Sequence, residues 1–126
     1  MTTRTKPSTA DVIAAAMSEN GDLLPAVTDG TRRKPGLCRL YGLLWYHTHN
    51  SKFSPSGFPD LVITGRRTIY RELKTQKGTV STAQKKWIAA LKAAGDDVDV
   101  WRPSDFLSGR CQRELAAIAV AKGSAA

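Results

Sequence analysis

Short runs of apolar residues, separated by turn-forming residues, occupy the middle of the chain. The runs at 43–48, 61–64 and 68–73 are rich in aromatic and β-branched side chains and predict three β-strands. A loop rich in Ser, Pro and Gly at 50–57 separates the first two strands, and Gly65-Arg66-Arg67 separates the second from the third. The second and third strands are therefore predicted to form a hairpin with a three-residue loop.

A helical pattern follows the third strand. Ser81-x-x-Gln84 is a capping box, Trp87 and Leu91 lie on one apolar stripe, and Gly95 stands where a glycine commonly ends a helix. The spacing predicts a helix that begins at Ser81 and ends before Gly95. A Gln in this position completes a helix cap, so the pattern by itself gives Gln84 no further role.

The N-terminal part of the chain has a weaker helical pattern. Thr9 is expected to cap a short helix over 11–18, which Asn20-Gly21 ends. Residues 21–36 combine Gly, Pro and basic residues, and they predict a loop or a broken helix before helical spacing resumes at Leu37.

The C-terminal part adds a strand at 98–101 and a last helix at 113–121. The order αβββαβ, followed by this last helix, predicts an α/β fold in which helices flank a mixed β-sheet. A single domain over 9–121 fits a chain of 126 residues, with 1–8 and 122–126 as flexible tails.

The composition shows a surplus of positive charge, with 19 Lys and Arg residues against 11 Asp and Glu residues and a formal net charge of +8. This surplus favours a polyanionic partner, nucleic acid first. No apolar run approaches the roughly 20 residues that span a bilayer, and the N-terminus does not resemble a signal peptide. We therefore expect no membrane partner and a cytoplasmic location. Cys38 and Cys111 lack the spacing of a metal site, and two reduced thiols are the simplest interpretation.

A Pro-Asp pair opens the second predicted strand, and a Glu-x-Lys motif closes the third. With a three-residue loop, the hairpin sets Asp60 opposite Glu72 with Cβ atoms roughly 5 Å apart, and alternation adds Lys74 to the same face. Like charges that face each other beside a core are destabilising, so a bound cation is the natural compensation. A register shifted by one residue would instead pair Asp60 with Arg71 in an ordinary salt bridge.

The type of cation follows from the donor atoms. Two carboxylates and a neighbouring backbone carbonyl, that of Leu73, suit Mg²⁺, which prefers oxygen ligands, and Mn²⁺ is expected to substitute for it. An ion in this position would polarise a phosphate oxygen and activate a water, while Lys74 orients that water or stabilises charge on the phosphate. The implied reaction is hydrolysis of a phosphodiester bond.

Several spaced motifs together resemble the virus-type replication-repair nuclease (VRR-NUC) domain, a family of the PD-(D/E)xK nuclease superfamily. These motifs are the segments 45–51, 54–60 and 72–78, the Ser81-x-x-Gln84 box with Trp87, and the segment 100–105. The resemblance spans about residues 37–106. It implies a restriction-endonuclease-like core. Its implied site residues are Asp60 and Glu72 as metal ligands, Lys74 as the catalytic lysine and Gln84 as a further member.

The resemblance also implies a substrate and an assembly. Members of this family carry out magnesium-dependent cleavage of structured DNA. Small stand-alone members, typical of phages and bacteria, resemble junction-resolving enzymes and tend to be dimers, whereas members fused to larger repair proteins act on flaps. DNA is therefore the implied partner and a homodimer the implied assembly, in phage or bacterial replication or repair.

One feature departs from the family pattern. The family usually carries an acidic residue, commonly Glu, on a continuous helix before the first strand. An ungapped count back from His47 lands on Asp29, although Pro35-Gly36 interrupts the helix in this chain. Asp29 is therefore the expected third metal ligand, with Glu19 and Asp22 as substitutes.

Basic and polar side chains in loops and at element ends are candidates for contacts with DNA. They are His47, His49, Lys52, Arg66, Arg67, Lys77 and Lys85. Each basic cluster could equally be a solvated surface, and the two histidines could be partly exposed residues at a strand end.

Two hypotheses follow. The leading one is a Mg²⁺-dependent endonuclease that acts on branched or otherwise structured DNA. The alternative is a basic DNA-binding protein that retains the nuclease fold and has lost catalysis because its upstream acid is degraded.

Overall fold

The computed structural model describes residues 6–48 and 53–120, and a four-stranded mixed sheet lies at its centre. The strands are β1 (Leu44–His47), β2 (Leu61–Thr64), β3 (Thr68–Leu73) and β4 (Asp97–Trp101), and they follow this order across the sheet. The β1–β2 and β2–β3 pairs are antiparallel, whereas β4 runs parallel to β3. The predicted class is confirmed: this is an α/β, restriction-endonuclease-like fold.

Helices flank the sheet. They are α1 (Thr9–Ala16), a π-helical turn (Glu19–Leu23), α2 (Leu24–Val27), α3 (Leu37–Leu40), α4 (Thr82–Ala93), α5 (Pro103–Leu107) and α6 (Arg110–Ile118). The α4 crossover joins β3 to β4, which is the kind of connection that parallel neighbours require. Over residues 6–48 and 53–120, no helix has both the length and the apolar character needed to cross a membrane.

The first helix has a different cap from the one predicted. The Ser8 hydroxyl accepts a hydrogen bond from the Asp11 amide at 3.1 Å, and the Asp11 carboxylate accepts one from the Ser8 amide at 3.0 Å. A Thr9 cap would lack this reciprocal partner, so Ser8 begins the helix and is not part of a tail. Residues 1–5 and 121–126 of the predicted tails and last helix lie outside the described residues.

The chain starts a second helical segment soon after α1 ends at Ala16. Ser18 caps the π-helical turn by accepting a hydrogen bond from the Gly21 amide at 3.1 Å, and the Asp22 carboxylate accepts one from the Ser18 amide at 2.8 Å. The predicted loop or broken helix at 21–36 therefore contains most of this turn and all of α2. Apolar spacing does not reveal a single π-helical turn, because its period differs from that of an α-helix.

The C-terminal helices also differ from the prediction. Pro103 comes soon after β4 and occupies the first turn of α5, where a backbone amide has no partner within the helix, so proline loses no hydrogen bond there. A helix of this length carries too little periodicity to be predicted. The last helix, α6, begins at Arg110 and not at residue 113, after Gly109 with a φ of 86°.

One face of the sheet forms the hydrophobic core. Its buried side chains cluster with those of the π-helical turn, α2 and α6, and they include Leu61, Ile63, Ile69, Leu73, Trp101, Leu23, Val27, Leu115 and Ile118. Because side chains alternate along a strand, Asp60 and Glu72 belong to the opposite face. That opposite face is covered only in part, since α4 has no fully buried residue.

A buried arginine joins the sheet to α6. The Arg71 side chain is 3% exposed and pairs with Glu114 at 3.0 Å and with Asp97 at 2.9 Å, and its guanidinium lies 5.3 Å from the centre of the Trp101 ring. Burial would raise the pKa of Glu114, but hydrogen bonds from Trp101 and Arg110 and the charge of Arg71 lower it overall. The charges of this ion cluster therefore balance one another, because Arg71 pairs with both Asp97 and Glu114.

Candidate active site

The hairpin register determines which acids meet. Leu61 pairs with Arg71 and Thr64 with Thr68, so Asp60, directly before β2, comes opposite Glu72. The Asp60 carboxylate also accepts a hydrogen bond from the Leu73 amide at 2.9 Å. The predicted register is therefore confirmed, and the alternative in which Asp60 pairs with Arg71 is wrong.

Glu72 is the most deeply buried acid of the site, with 1% of its surface exposed. Gln84 donates a hydrogen bond to Glu72 Oε1 at 3.1 Å, whereas no donor among the described residues reaches Glu72 Oε2. Burial raises the pKa of Glu72 well above its ordinary value, and the adjacent Asp60 raises it further, although Lys74 opposes this. A buried carboxylate in such surroundings needs either a proton or a cation.

A third carboxylate completes the cluster, and it belongs to Glu19. One oxygen each of Glu19, Asp60 and Glu72 lies within 4.8 Å of the other two. Glu19 is the first residue of the π-helical turn, and burial together with the charge of Asp60 raises its pKa. Three carboxylates with convergent oxygens are a donor set that fits a hard divalent cation.

The other candidates for the upstream acid are placed elsewhere. Asp29 is exposed in the turn after α2, where its backbone carbonyl accepts a hydrogen bond from the Gly36 amide at 2.9 Å. The Asp22 carboxylate is bound to the amide and hydroxyl of Ser18. Neither joins the acidic cluster within the described ranges, so the geometry favours Glu19.

Gln84 combines two roles that the sequence left as alternatives. Its side-chain oxygen accepts a hydrogen bond from the Ser81 amide at 2.8 Å and so completes the capping box of α4. Its side-chain nitrogen donates to Glu72. The first turn of α4 therefore also orients one of the acids.

The loop before β2 packs closely against the same turn of α4. Gly57 has a φ of 97°, and a Cβ at this position would lie 2.5 Å from the carbonyl carbon and oxygen of Ala83. The Trp87 indole also donates a hydrogen bond to the Ser56 carbonyl at 3.1 Å, which connects the loop to α4. Glycine at position 57 is therefore required for the approach that brings Gln84 to Glu72.

Lys74 follows β3 directly, and its amide donates to the Trp101 carbonyl at 3.0 Å. Burial and Asp60 raise the pKa of both Glu72 and Glu19, and the charge of Lys74 opposes that rise, as expected of a cation near the acids. The loop after Lys74 is held by Arg102, whose guanidinium donates to the Thr75 carbonyl at 2.8 Å. It also donates to the Gly78 carbonyl at 2.7 Å. No motif in the sequence indicates this role of Arg102.

The predicted DNA contacts fall into two groups. Lys77, in the loop after β3, and Lys85, next to Gln84 on α4, are exposed at the acidic end of the sheet. Arg66 and Arg67 lie in the hairpin loop, roughly 17 Å along the strands from the acids.

The arginines in the hairpin loop already have partners. Arg66 donates to the Ala117 carbonyl at 2.6 Å, and Arg67 pairs with Asp97 at 2.6 Å. These contacts and their distance from the acids disfavour a role beside the site.

The two histidines and Lys52 are the remaining predicted DNA contacts. His47 pairs with Leu61, so alternation places it on the core face and not on the face of Asp60. His49 and Lys52 lie outside the described residues. The proposed ligand role of the Leu73 carbonyl stays a prediction, because the contact that Leu73 makes with the site is through its amide.

A mixed sheet that presents an acidic cluster across its central hairpin, with a lysine directly after, defines a domain of the nuclease type. Residues 17–105, more than half of the chain, match the VRR-NUC domain family, and the protein belongs to that family. The family implies a nuclease that acts on DNA, and nuclease domains of this kind generally need a divalent metal. The match begins before Glu19 and so includes the third acid. No curated protein matches the chain, and no solved structure does.

Proposed function

We propose that the protein is a Mg²⁺-dependent endonuclease that hydrolyses phosphodiester bonds in branched or otherwise structured DNA. The observation that carries the proposal is the convergence of Glu19, Asp60 and Glu72, with a buried Glu72 oxygen that no donor within the described residues satisfies. The match to the VRR-NUC family and the convergence of the three carboxylates therefore both support DNA cleavage. Mn²⁺ is expected to replace Mg²⁺, because both take carboxylate ligands.

Each site residue has a defined task in this proposal. A bound Mg²⁺ would supply charge stabilisation at a phosphate oxygen and a nucleophilic water at neutral pH. Glu19, Asp60 and Glu72 would hold the ion, and Gln84 orients Glu72 through its amide hydrogen bond. The Lys74 ammonium group stabilises negative charge that develops on the phosphate.

The substrate and setting rest on the charge and on the family. A net charge of +8 supports binding to the DNA backbone, and exposed Lys77 and Lys85 lie beside the acids. Phosphate contacts carry no sequence information, so recognition by DNA shape is the simplest source of selectivity. We place the activity in DNA replication or repair, in the cytoplasm of a bacterial or phage-infected cell, as the resemblance implies.

A homodimer is part of the proposal. β1 lies at the edge of the sheet, and its Leu44 side chain is 75% exposed and lies outside the cavity-lining residues. An exposed apolar strand at the edge of a sheet is a common site of self-association. Light scattering on the purified protein, with and without DNA, would measure the assembly directly.

The test of the activity is cleavage of labelled flap, four-way-junction and linear duplex DNA in Mg²⁺, Mn²⁺ or EDTA. We expect cleavage of the branched substrates with either metal and none with EDTA. Asp60→Asn should lower the rate by more than the roughly 10–100-fold that loss of a ligand-orienting residue costs. Asp29→Asn is the matched control and should cleave normally. Cleavage that persists in EDTA or in Asp60→Asn would contradict the proposal.

The alternative of a DNA-binding protein without catalysis depended on a degraded upstream acid. Glu19 is the candidate for that acid, because its carboxylate oxygen lies within 4.8 Å of those of Asp60 and Glu72, and this supports the catalytic proposal over the alternative. The same assay separates the two, because a protein without catalysis would bind the branched DNA and leave it intact in Mg²⁺ and in Mn²⁺.

A further inference from the structure

A cavity of about 580 Å³ opens directly beside the acidic cluster. Asp60 and Gln84 form part of its wall, so the cavity is continuous with the candidate metal site. Its other walls include the aromatic side chains of Tyr46, Phe58 and Trp87. Its volume is within the range of roughly 300–1,000 Å³ that is typical of small-molecule sites.

The aromatic wall of this cavity is held in place by its own contacts. The Phe58 ring packs edge-to-face against Trp87, with centroids 5.1 Å apart, and against Tyr70, with centroids 6.0 Å apart. The Trp87 indole nitrogen donates to the Ser56 carbonyl, so its polar edge is satisfied within the protein. Phe58 and Trp87 therefore offer a fixed apolar surface and need no polar group from a ligand.

Tyr46 faces the cavity from the other side. It lies on the same sheet face as Thr48 and Asp60, because β1 pairs Tyr46 with Val62 and alternation continues to Asp60. Two-thirds of its surface is exposed. An unstacked base can stack on an exposed aromatic ring, and Tyr46 offers such a ring next to the candidate site of phosphate cleavage.

Polar groups at the rim complete the lining. The hydroxyl groups of Thr48, Ser54 and Ser56 belong to the cavity wall, and the Thr48 hydroxyl donates to the Pro59 carbonyl at 2.9 Å while keeping its acceptor capacity. Aromatic faces with a few hydroxyl groups match a nucleobase, which has π-faces and a polar edge. They match a phosphate poorly, because Asp60 is the charged side chain of the lining.

We propose that this cavity receives one unstacked nucleobase of the DNA, next to the phosphate that is cleaved, with Tyr46 as its stacking platform. The proposal rests on the proposed nuclease function and specifies its substrate. A base within a duplex cannot enter such a cavity without leaving the stack, which costs a few kcal/mol, and an unpaired base at a branch avoids most of that cost. Tyr46 would thereby be a specificity residue for the branched DNA of the proposed function.

The test measures binding, and it does so without cleavage. Flap DNA carries 2-aminopurine or an abasic site at each of the nucleotides around the branch in turn, and affinity is measured by fluorescence in Ca²⁺. We expect one position at which wild-type protein changes the 2-aminopurine signal and at which an abasic site weakens binding about tenfold. Tyr46→Ala should weaken binding of intact DNA by a similar factor, and the abasic site should then cost nothing more.

Two further variants separate stacking from other effects. Tyr46→Phe keeps the ring and should bind like the wild-type protein. Leu40→Ala, on α3, removes an exposed apolar side chain that lies outside the cavity, and it is the control. The proposal is overturned if Tyr46→Ala and the abasic site act additively, or if neither changes the affinity.

The same experiment distinguishes this proposal from the nuclease function. Coupling between Tyr46 and one base without any Mg²⁺-dependent cleavage would support the base site and contradict the nuclease. Cleavage of branched DNA that is indifferent to Tyr46→Ala and to every abasic position would support the nuclease and overturn the base site.

Discussion

Glu72 carries a carboxylate that has almost no contact with solvent and that lies beside two other acids. A side chain in this position can remain charged only if a cation reaches it, because burial and the neighbouring Asp60 both favour the protonated form. The pairing of these two acids could be predicted, since strand alternation and a three-residue loop define it. Glu19 could not be selected over Asp29 from the sequence, because its position depends on a π-helical turn.

Glu19 is expected to be the third metal ligand, and this makes a prediction for binding of Mn²⁺ alone. Glu19→Gln should weaken Mn²⁺ binding at least tenfold, because a ligand-atom change exceeds the roughly 10–100-fold cost of changes around the ligands. Isothermal titration calorimetry measures the affinity. Asp29→Asn removes the same charge from an exposed turn and should bind Mn²⁺ like the wild-type protein. Equal losses in both variants would contradict the assignment.

The two contacts of Gln84 can be separated by one substitution. Gln84→Glu keeps an oxygen that accepts from the Ser81 amide, so the cap of α4 is retained, but it adds a carboxylate beside buried Glu72, so the melting temperature should fall without metal and recover in Mg²⁺. The substitution removes the N–H that donates to Glu72, and we expect DNA cleavage to slow by about 10–100-fold. A folded Gln84→Glu variant with normal cleavage at saturating Mg²⁺ would show that Gln84 is only a helix cap.

The strands and α4 illustrate which elements the sequence reveals. Each of them has its own alternation, stripe or capping box, and the structure places the four strands within one residue of their predicted bounds. The short helical segments differ because tertiary contacts define them. α1 packs against α5, and α5 begins at a proline that is equally compatible with a strand end. The local sequence pattern was therefore sufficient to predict the strands of the sheet, and it was insufficient to predict the short helices around it.

The ion cluster between β3 and α6 makes a prediction for acid stability. The folded-state pKa of Glu114 is lowered, so its stabilising contribution is present above its ordinary pKa of 4.5 and is lost as the pH falls below that value. Thermal unfolding should show a falling midpoint between about pH 5 and about pH 3. Glu114→Gln should be less stable at pH 7 by about 2 kcal/mol, and its midpoint should depend less on pH.

The matched control for Glu114 is Asp99, which pairs with Arg110 at 2.6 Å in a more exposed position. Asp99→Asn should cost less than about 1 kcal/mol, as is usual for exposed ion pairs. If Glu114→Gln and wild-type protein lost stability equally on acidification, the effect would have to come from other carboxylates.

The basic residues of the protein differ in whether they are available to bind DNA. Some basic residues are exposed at the acidic end of the sheet, whereas those of the hairpin loop are engaged with the Ala117 carbonyl and with Asp97. Composition alone predicts a polyanionic partner, but it cannot tell a free cation from one that stabilises the fold. The distinction depends on strand direction, because Lys77 follows the end of β3 that carries the acids, whereas Arg66 and Arg67 lie in the loop at the other end of the hairpin.

Salt dependence of DNA binding tests this distribution. Replacing Lys77 and Lys85 with Ala should reduce the slope of log affinity against log salt by about 0.9 for each phosphate contact that is lost. Replacing Arg66 and Arg67 with Gln lowers the net charge by the same amount and should leave the slope unchanged. Fluorescence anisotropy with duplex DNA in EDTA provides the affinities. Equal slopes for both double variants would indicate that net charge alone governs binding.

The close approach of Gly57 to the first turn of α4 has a consequence for saturation mutagenesis. Any replacement adds a Cβ that meets the Ala83 carbonyl at 2.5 Å, in a backbone conformation that side chains rarely adopt. Relief of that clash moves the helix turn that carries Gln84. In a library screened for DNA cleavage, position 57 should therefore tolerate as few substitutions as position 60. A residue with no side chain would be scored as essential for a reaction in which it takes no chemical part.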